Sequence, residues 1–434
     1  MTQDAIPATL PATSGDISAA AMDPMFEMVL GSRLTFTQRL DPEVLARAVR
    51  LLTDLEPVLG CWFDERLLNA GWVRCTDLEV FPLFSMLDTD NADRDAAEFH
   101  ARSFEERGPR VAVLLLRSVE HDDLCIRFDH VAGDGWSAKE VTHLLAETYS
   151  RLLEDPAWTP TPRLSPRPAH SDVWQALTDE QRAAAAKAPP VSGSKWRMKT
   201  NPGTGNSLTI RTLTLEAERV AAIREYVHAR GGTVNEALVT ALVRSAASMY
   251  PPREGVRPGV SISADPRRFA RATNLDRISL LATTQTVLMD HRRGETFDET
   301  LQHVIDAVRP WRESLWSIAA SAKPGPAPAP VLMRAFFGLL ATMMRTMHFA
   351  GLVTMNIGAF DEERLAFGEA RPVSAVGTGP IPRFGGFPAL ISSYRGSLTL
   401  WMGFRERTIA RELVERYLDG IDQQLAGALQ PTLD

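Results

Sequence analysis

The run Phe128-Asp129-His130-Val131-Ala132-Gly133-Asp134-Gly135-Trp136 sets an imidazole, a carboxylate and backbone-permissive glycines together at a turn. That equipment can take a proton from an incoming hydroxyl or amine. Histidine is the side chain best poised to accept a proton near neutral pH. The carboxylate of Asp134, four residues on, can orient the ring or hold an adjacent arginine. Gly133 and Gly135 allow backbone conformations and close approach that other residues block. No cysteine and no GxSxG serine elbow accompanies the histidine. His130 is therefore read as activating the acceptor itself, not an enzyme nucleophile. The bare His-x-x-x-Asp spacing is weak evidence, and a surface turn with a structural His–Asp bond is the plainer reading. The following Gly135, the strand before and the helix after make the run more specific.

The elements around the run explain how it would be held. Val111 to Leu116 and Leu124 to Phe128 read as two strands, with His121-Asp122-Asp123 as the turn between them. Leu124, Ile126 and Phe128 face one way, and Cys125, Arg127 and Asp129 the other. Continued alternation sends His130 out with the apolar set. After the run, Ser137 with Glu140 forms a capping-box pattern, and Val141, Leu144, Leu145 and Leu152 recur at helical spacing. Earlier, Met28 to Gln38 is extended. Asp41-Pro42 then opens a helix that is apolar at Val44, Leu45, Val49, Leu51, Leu52 and Leu55, and Pro57 ends it.

Residues 155–207 are rich in Pro, Ser and Thr, with a helical island near residues 179–188, and read as a crossover between two halves. The second half resumes with a strand at Ser207 to Leu215 and a helix apolar at Val220, Ile223 and Val227, stopped by Gly231-Gly232. Thr233 with Glu236 is a second capping box, opening a helix that reaches Tyr250 before Pro251-Pro252. Strands follow near residues 259–264, 281–289, 353–357 and 397–404. A last amphipathic helix uses Ile409, Leu413, Tyr417, Ile421 and Leu425. Mixed strands and helices without strict alternation favour an α+β sandwich of two related halves over a doubly wound parallel sheet. The expected divisions are a disordered leader over 1–24, an N-terminal lobe over 25–160, a linker over 161–206 and a C-terminal lobe over 207–434.

Composition narrows the function classes. The chain has 434 residues, 44% hydrophobic and 23% charged, which suits a sizeable soluble core. A formal charge of −7 argues against nucleic acid as the main partner. Cys61, Cys75 and Cys125 are odd in number and lack a CxxC, so neither a disulfide framework nor a zinc site is expected. No metal ligand set is assigned. A reduced cytoplasmic setting fits best. The acidic, polar N-terminus lacks a signal peptide's pattern, and no apolar run is long enough to span a bilayer.

On these residues the chain resembles the condensation domains of nonribosomal peptide synthesis, with their HHxxxDG motif. It also resembles the related chloramphenicol-acetyltransferase-like acyltransferases that carry HxxxDG. Thr233-Val234-Asn235-Glu236-Ala237-Leu238 is similar to that superfamily's "TvNdvl" helix. Ser263-Ala264-Asp265-Pro266-Arg267 is similar to its "pvDlR" strand end, Thr273-Asn274-Leu275 to its "xNl" segment, and Met355-Asn356-Ile357-Gly358 to its "SNlG" strand. The matches come in the family's order. The resemblance implies two lobes in a V with a tunnel between them, and His130 midway along it. His130 would deprotonate a hydroxyl or amine attacking a thioester carbonyl. Asp134 would be structural and paired with Arg267, and Gly135 would leave room at the reacting centre, its N–H near the oxyanion. Asp129, Trp136, Asp265 and Asn356 would support the site.

The implied function is acyl transfer from a carrier-protein or coenzyme A thioester to an oxygen or nitrogen acceptor. It belongs in secondary metabolism of the nonribosomal peptide or polyketide kind, and such enzymes serve antibiotic biosynthesis. No permanently bound cofactor is implied; the donor is the phosphopantetheine-carrier or coenzyme A thioester. The partners would be an acyl or peptidyl carrier met in trans and a small acceptor, with the protein itself a monomer. Two departures stand out. The first His of the double-histidine motif is Asp129 here, and Arg383-Phe384-Gly385-Gly386-Phe387 stands where plant enzymes carry DFGWG. No carrier segment or adenylation domain is visible, so the reading is of a free-standing enzyme. The rival readings are a non-catalytic carrier-binding module, and a condensation-like fold used for dehydration or cyclisation.

Other stretches have plainer readings. The Phe- and Met-rich stretch 331–350 is an ordinary core helix, or else an acyl-chain wall or membrane contact. Residues 323–330, Gly203-Thr204-Gly205 and Gly377-Thr378-Gly379 read as loops. No basic cluster for the coenzyme's phosphates stands out. Asp265-Pro266-Arg267-Arg268 reads as a buried ion pair before an anion site.

Overall fold

In the computed structural model, residues 6–65, 70–187, 193–269, 275–313 and 330–430 are described. Two sheets organise them, each with helices packed against it. In the first, β1 (Val29–Phe36), β2 (Phe84–Asp88), β3 (Val111–Arg117) and β4 (Asp122–Asp129) are joined by a strand from far along the chain, β9 (Ser374–Thr378). The order is β9–β1–β4–β3–β2, antiparallel except for the parallel β3–β2 pair. The helices of this lobe are α1 (Ser14–Ala21), α2 (Pro42–Leu55), α3 (Ala92–Ala101) and α4 (Gly135–Glu154).

The period-two pattern of the strands explains why both sheet faces are covered. Val113, Leu115, Leu124, Ile126 and Phe128 join α2 and α4 through Leu45, Val49, Leu52, Val141 and Leu145 in the main core. The opposite face offers Ala112, Leu114, Leu116 and Cys125 to Ala96 and Phe99 of α3. Burying each such Leu or Phe contributes on the order of 1.5–3 kcal/mol. Helix α2 begins where Asp41 Oδ1 accepts the amides of Glu43 and Val44, with Pro42 at the first helical position.

The crossover carries two short helices, α5 (His170–Gln175) and α6 (Asp179–Ala185). The second lobe holds β5 (Leu208–Leu215), β6 (Gly259–Ala264), β7 (Thr283–Leu288), β8 (Leu352–Ala359), β10 (Phe387–Tyr394) and β11 (Ser397–Arg405), in the order β5–β11–β10–β8–β6–β7. Its helices are α7 (Ala217–His228), α8 (Val234–Met249), α9 (Phe297–Glu313), α10 (Pro330–Met347) and α11 (Arg411–Ala428). Leu238, Leu242, Val304, Phe387, Ile391, Leu400, Val414, Tyr417 and Ile421 form its core. The capping box of Thr233 and Glu236 opens α8, with Glu236 Oε2 accepting the Thr233 amide at 2.7 Å.

Several expectations are corrected. Residues 6–24 of the expected leader are structured. A short strand, Thr9–Pro11, pairs with Gly71–Arg74, and α1 follows. Its polar composition hid a purpose, since buried Asp16 accepts from Trp72 Nε1 at 2.8 Å and pairs with Arg167 at 2.6 Å. Asp122 and Asp123 lie in β4, not in the preceding turn, because arginines neutralise them. Arg39 and Arg117 bind Asp122, and Arg33 binds Asp123. Gly377 and Thr378 are strand residues paired with β1. The lobes also do not divide cleanly near residue 206, since β9 returns from the second half to the first sheet, with Phe360, Leu365 and Phe367 in the first core.

Helix α10 is not wholly core. Phe337, Leu340, Ala341 and Met344 pack toward Met25 and Phe384, while Leu332, Phe336, Leu339 and Met343 stay exposed. Thr273-Asn274 and residues 323–329 lie outside the described residues. Among the described residues no helix is long and apolar enough to cross a membrane.

Candidate functional site

The run with His130 is the loop from β4 into α4. The ladder continues one bond past the strand, as the His130 amide donates to Met28 O at 2.9 Å. The half-buried ring then lies with Nδ1 2.8 Å from the carbonyl oxygen of Gly133. A carbonyl can only accept, so Nδ1 carries a proton, and in the neutral ring Nε2 is the nitrogen with the lone pair. A neutral imidazole held in this tautomer is what a base acting through Nε2 requires.

Asp134 does not meet His130. Its fully buried carboxylate caps α4, accepting from Ser137 N and Ser137 Oγ at 3.1 Å each. The helix therefore starts three residues earlier than a Ser137 cap implies, and Glu140 binds Arg364 instead at 2.7 Å. The other Asp134 oxygen accepts from Arg267 Nη1 at 2.9 Å and from the amides of Leu281 and Ala282 at 2.8 Å. Burial works against this charge, but Arg267 and the backbone donors outweigh it and hold the carboxyl well below the usual range.

Arg267 makes further bonds. It also reaches Asp265 at 3.1 Å, Ser279 O at 2.8 Å and Leu275 O at 3.1 Å, and lies 4.4 Å over the Trp136 ring. Burial pushes the Asp265 carboxyl up, against the pull of Arg267. Trp136, Asp265, Arg267 and Asp134 thus form one cluster pinning the start of α4. Asp129 sits apart from it. Its Oδ1 accepts the Val131 amide at 2.9 Å and its Oδ2 lies 3.5 Å from Arg110 Nε, while burial raises its pKa.

The second lobe touches the run at Gly135. A Cβ there would come 2.3 Å from Ile357 Cγ2 of β8, so only glycine lets this strand approach. Lys139 Nζ donates to Ala359 O at 3.0 Å and ties α4 to the end of the same strand. Asn356 is exposed. It sits at a bulge, its Oδ1 accepting the Gly358 amide at 2.9 Å and its Nδ2 3.3 Å from Asn235. It supports the strand end, not the ring of His130. Of the residues singled out from sequence, Asp134, Trp136, Asp265 and Arg267 are brought together, Gly135 is brought against Ile357, and Asp129 and Asn356 each stand elsewhere.

Two features escaped the sequence reading. Arg167, in the crossover, donates to Ala132 O at 2.5 Å inside the run and binds Asp16 and Ile278 O. It holds the turn from outside, and nothing in its neighbourhood in sequence marks it. The second feature is a cavity of about 840 Å³ bounded by Met28, Asp129 and Val131, the neighbours of His130, although His130 does not itself line it. Arg102, Arg107, Arg110, Arg334, Arg383, Arg405 and Arg407 converge there from four separate stretches. Arg110, Arg334, Arg383 and Arg405 are paired with carboxylates. Arg102, Arg107 and Arg407 have no carboxylate partner among the described residues and leave a cationic rim. Among the described residues, no cluster of metal-ligating side chains occurs.

No protein-family model and no curated protein matches the chain. Solved structures do. The trichothecene 15-O-acetyltransferase TRI3 of Fusarium sporotrichioides superposes with a TM-score of 0.70 at 13% identity, over 97% of this chain and 95% of that one. The first condensation domain of the CDA synthetase gives 0.66 at 15%, over 98% of each chain. The epimerization domain of the third module of tyrocidine synthetase B gives 0.63 at 15%, over 98% of this chain and 96% of that one. The chain therefore shares the two-lobed α+β fold of these proteins. That fold carries more than one chemistry, so the reaction has to be argued from the site.

Proposed function

We propose that the protein is an acyltransferase that moves an acyl group from a thioester onto a hydroxyl or amine, forming an ester or amide. The observation that carries this reading is the His130 ring, with Nδ1–H held by Gly133 O and Nε2 left as acceptor. In the proposed reaction Nε2 takes the acceptor's proton as its oxygen or nitrogen attacks the thioester carbon. The tetrahedral intermediate collapses with cleavage of the C–S bond, and the imidazolium returns the proton to the leaving sulfur. The first amides of α4, Gly135 among them, have no carbonyl partner within the helix, and the helix N-terminus favours a developing oxyanion. Asp134 and Arg267 act by fixing this turn and take no proton.

The arginine-rimmed cavity supports a donor with a phosphate on its arm, which both coenzyme A and a phosphopantetheine carrier possess. Arg102, Arg107 and Arg407 would receive that phosphate. The setting proposed is nonribosomal peptide or polyketide metabolism, with a carrier protein supplied in trans. A carrier-binding module without chemistry has no use for the fixed tautomer, so it is the weaker alternative. The test is thiol release from an acyl thioester with a panel of alcohols and amines. Release that requires both an acceptor and His130 is expected. Release that is equal in His130→Ala would sink the reading.

A further inference from the structure

A second cavity, of about 250 Å³, lies between the two lobes. Arg33, His100 and Arg127 line it beside Thr212, Thr378 and Trp401. Thr212 and Thr214 of the edge strand β5 are exposed and form its mouth, while His100 and Arg127 are only 5% and 7% exposed at its floor. The mechanism above uses none of these groups.

The charges there do not balance. Arg33 has Asp93 and Asp123 as partners. His100 donates Nε2–H to Gly379 O at 3.0 Å, and burial pulls its pKa down to about 4, so it is neutral. Arg127 is the exception. Its guanidinium lies 4.9 Å from the Phe99 ring and 4.6 Å from the Phe104 ring. It donates to Arg102 O, but among the described residues no carboxylate pairs with it and its Nε has no hydrogen-bond partner. Burial, with the nearby Arg102 charge, lowers its pKa to about 10. Thr378 Oγ1, on the same wall, is also buried without a partner among the described residues. A buried cation without a counter-charge is expensive, and native proteins usually pair it.

We propose that this cavity is a binding site for a small monocarboxylate, with Arg127 as its counter-charge and Thr378 as a further donor. One uncompensated positive charge calls for a monoanion. The planar fork of guanidinium donors matches two carboxylate oxygens. A cavity of about 150 Å³ holds a benzene molecule, so an aromatic or short aliphatic acid fits the available space. The site does not rest on the acyl-transfer reading, since it is built from other residues.

The test is calorimetric titration of the full chain with benzoate and propionate at constant ionic strength, with inorganic phosphate as a parallel probe. Saturable binding of one benzoate or propionate per chain is expected. Arg127→Met should weaken it at least about tenfold, as expected for loss of a charged hydrogen bond, and Thr378→Val should weaken it less. Should Arg127→Met fail to fold, Arg127→Lys keeps the charge, loses the fork and should weaken binding in the same direction. Absence of saturable carboxylate binding overturns the proposal. So does unchanged affinity in the Arg127 variants, or phosphate binding as tightly as either acid.

Discussion

Replacing Asp134 by asparagine removes one charge from a carboxylate that is 0% exposed and accepts five hydrogen bonds, from Ser137 N, Ser137 Oγ, Arg267 Nη1, Leu281 N and Ala282 N. An asparagine turns one acceptor into an NH₂ group and sets it against one of those donor sets, leaving Asp265 as the one carboxylate beside Arg267. Breaking a buried pair in this way costs about 3–5 kcal/mol. A unit of 150–250 residues loses about 2–4 °C per kcal/mol. If the N-terminal lobe melts as such a unit, the shift is roughly 6–20 °C. The sign with pH follows from the depressed carboxyl pKa. A depressed folded value stabilises fully above the unfolded value near pH 4, and that stability is lost as pH falls through the folded value. The deficit of Asp134→Asn against wild type should therefore be constant from about pH 6 to 8 and shrink in acid. Calorimetry across that range, with turnover measured well below the transition, checks both. Turnover should fall without a change in the shape of its pH profile, because Asp134 does not touch His130. A variant that melts like wild type while its pH–rate limb moves by a unit or more would refute the reasoning and make Asp134 a proton relay.

His130→Ala should lower turnover by about 10²–10⁴-fold and barely move the melting temperature, since the ring is half-buried with one bond. Buried His100 has its pKa lowered to about 4. Its neutral form stabilises above the unfolded value near 6.5, and on the order of 3 kcal/mol is lost as pH falls to about 4. His100→Gln should flatten that part of the stability–pH curve in chemical denaturation, and an unchanged slope would contradict it. Gly135→Ala should be destabilising by about 1–3 kcal/mol through overpacking against Ile357. The double variant with Ile357→Ala should recover much of that loss in melting. Arg107→Ala with Arg407→Ala should raise the KM for the thioester donor and leave its turnover unchanged, an effect that shrinks at high salt. Unaltered KM would remove the cavity from the donor path.

The parts of the fold that were legible in sequence are those specified locally. Asp41-Pro42 and Thr233 with Glu236 mark helix starts by backbone capping, and both helices begin there. The resemblance drew attention to Asp134 and Arg267, 133 residues apart, and the structure joins them. What was missed depends on distant partners. Asp122 and Asp123 look like turn residues until Arg39, Arg117 and Arg33 arrive to neutralise them in a strand. The run Phe387–Tyr394 was overlooked, yet it is a central strand with both neighbours paired. A short apolar stretch after two glycines carries no period to separate strand from loop. The Asp16–Arg167 pair, the cationic rim of Arg102, Arg107 and Arg407, and the unpaired Arg127 exist only once the chain is folded.

The central claim is that His130 drives acyl transfer from a thioester to an external nucleophile. Intact-protein mass spectrometry of an acylated carrier protein, mixed with this protein and a panel of amines and alcohols, tests it most directly. Wild type and His130→Ala would be run side by side, with acyl-coenzyme A as the parallel donor. The account predicts acyl loss from a donor only when both acceptor and His130 are present, with the acyl mass appearing on the acceptor. A carrier that is bound equally by both variants and keeps its acyl group, with acyl-coenzyme A also unconsumed, would contradict it.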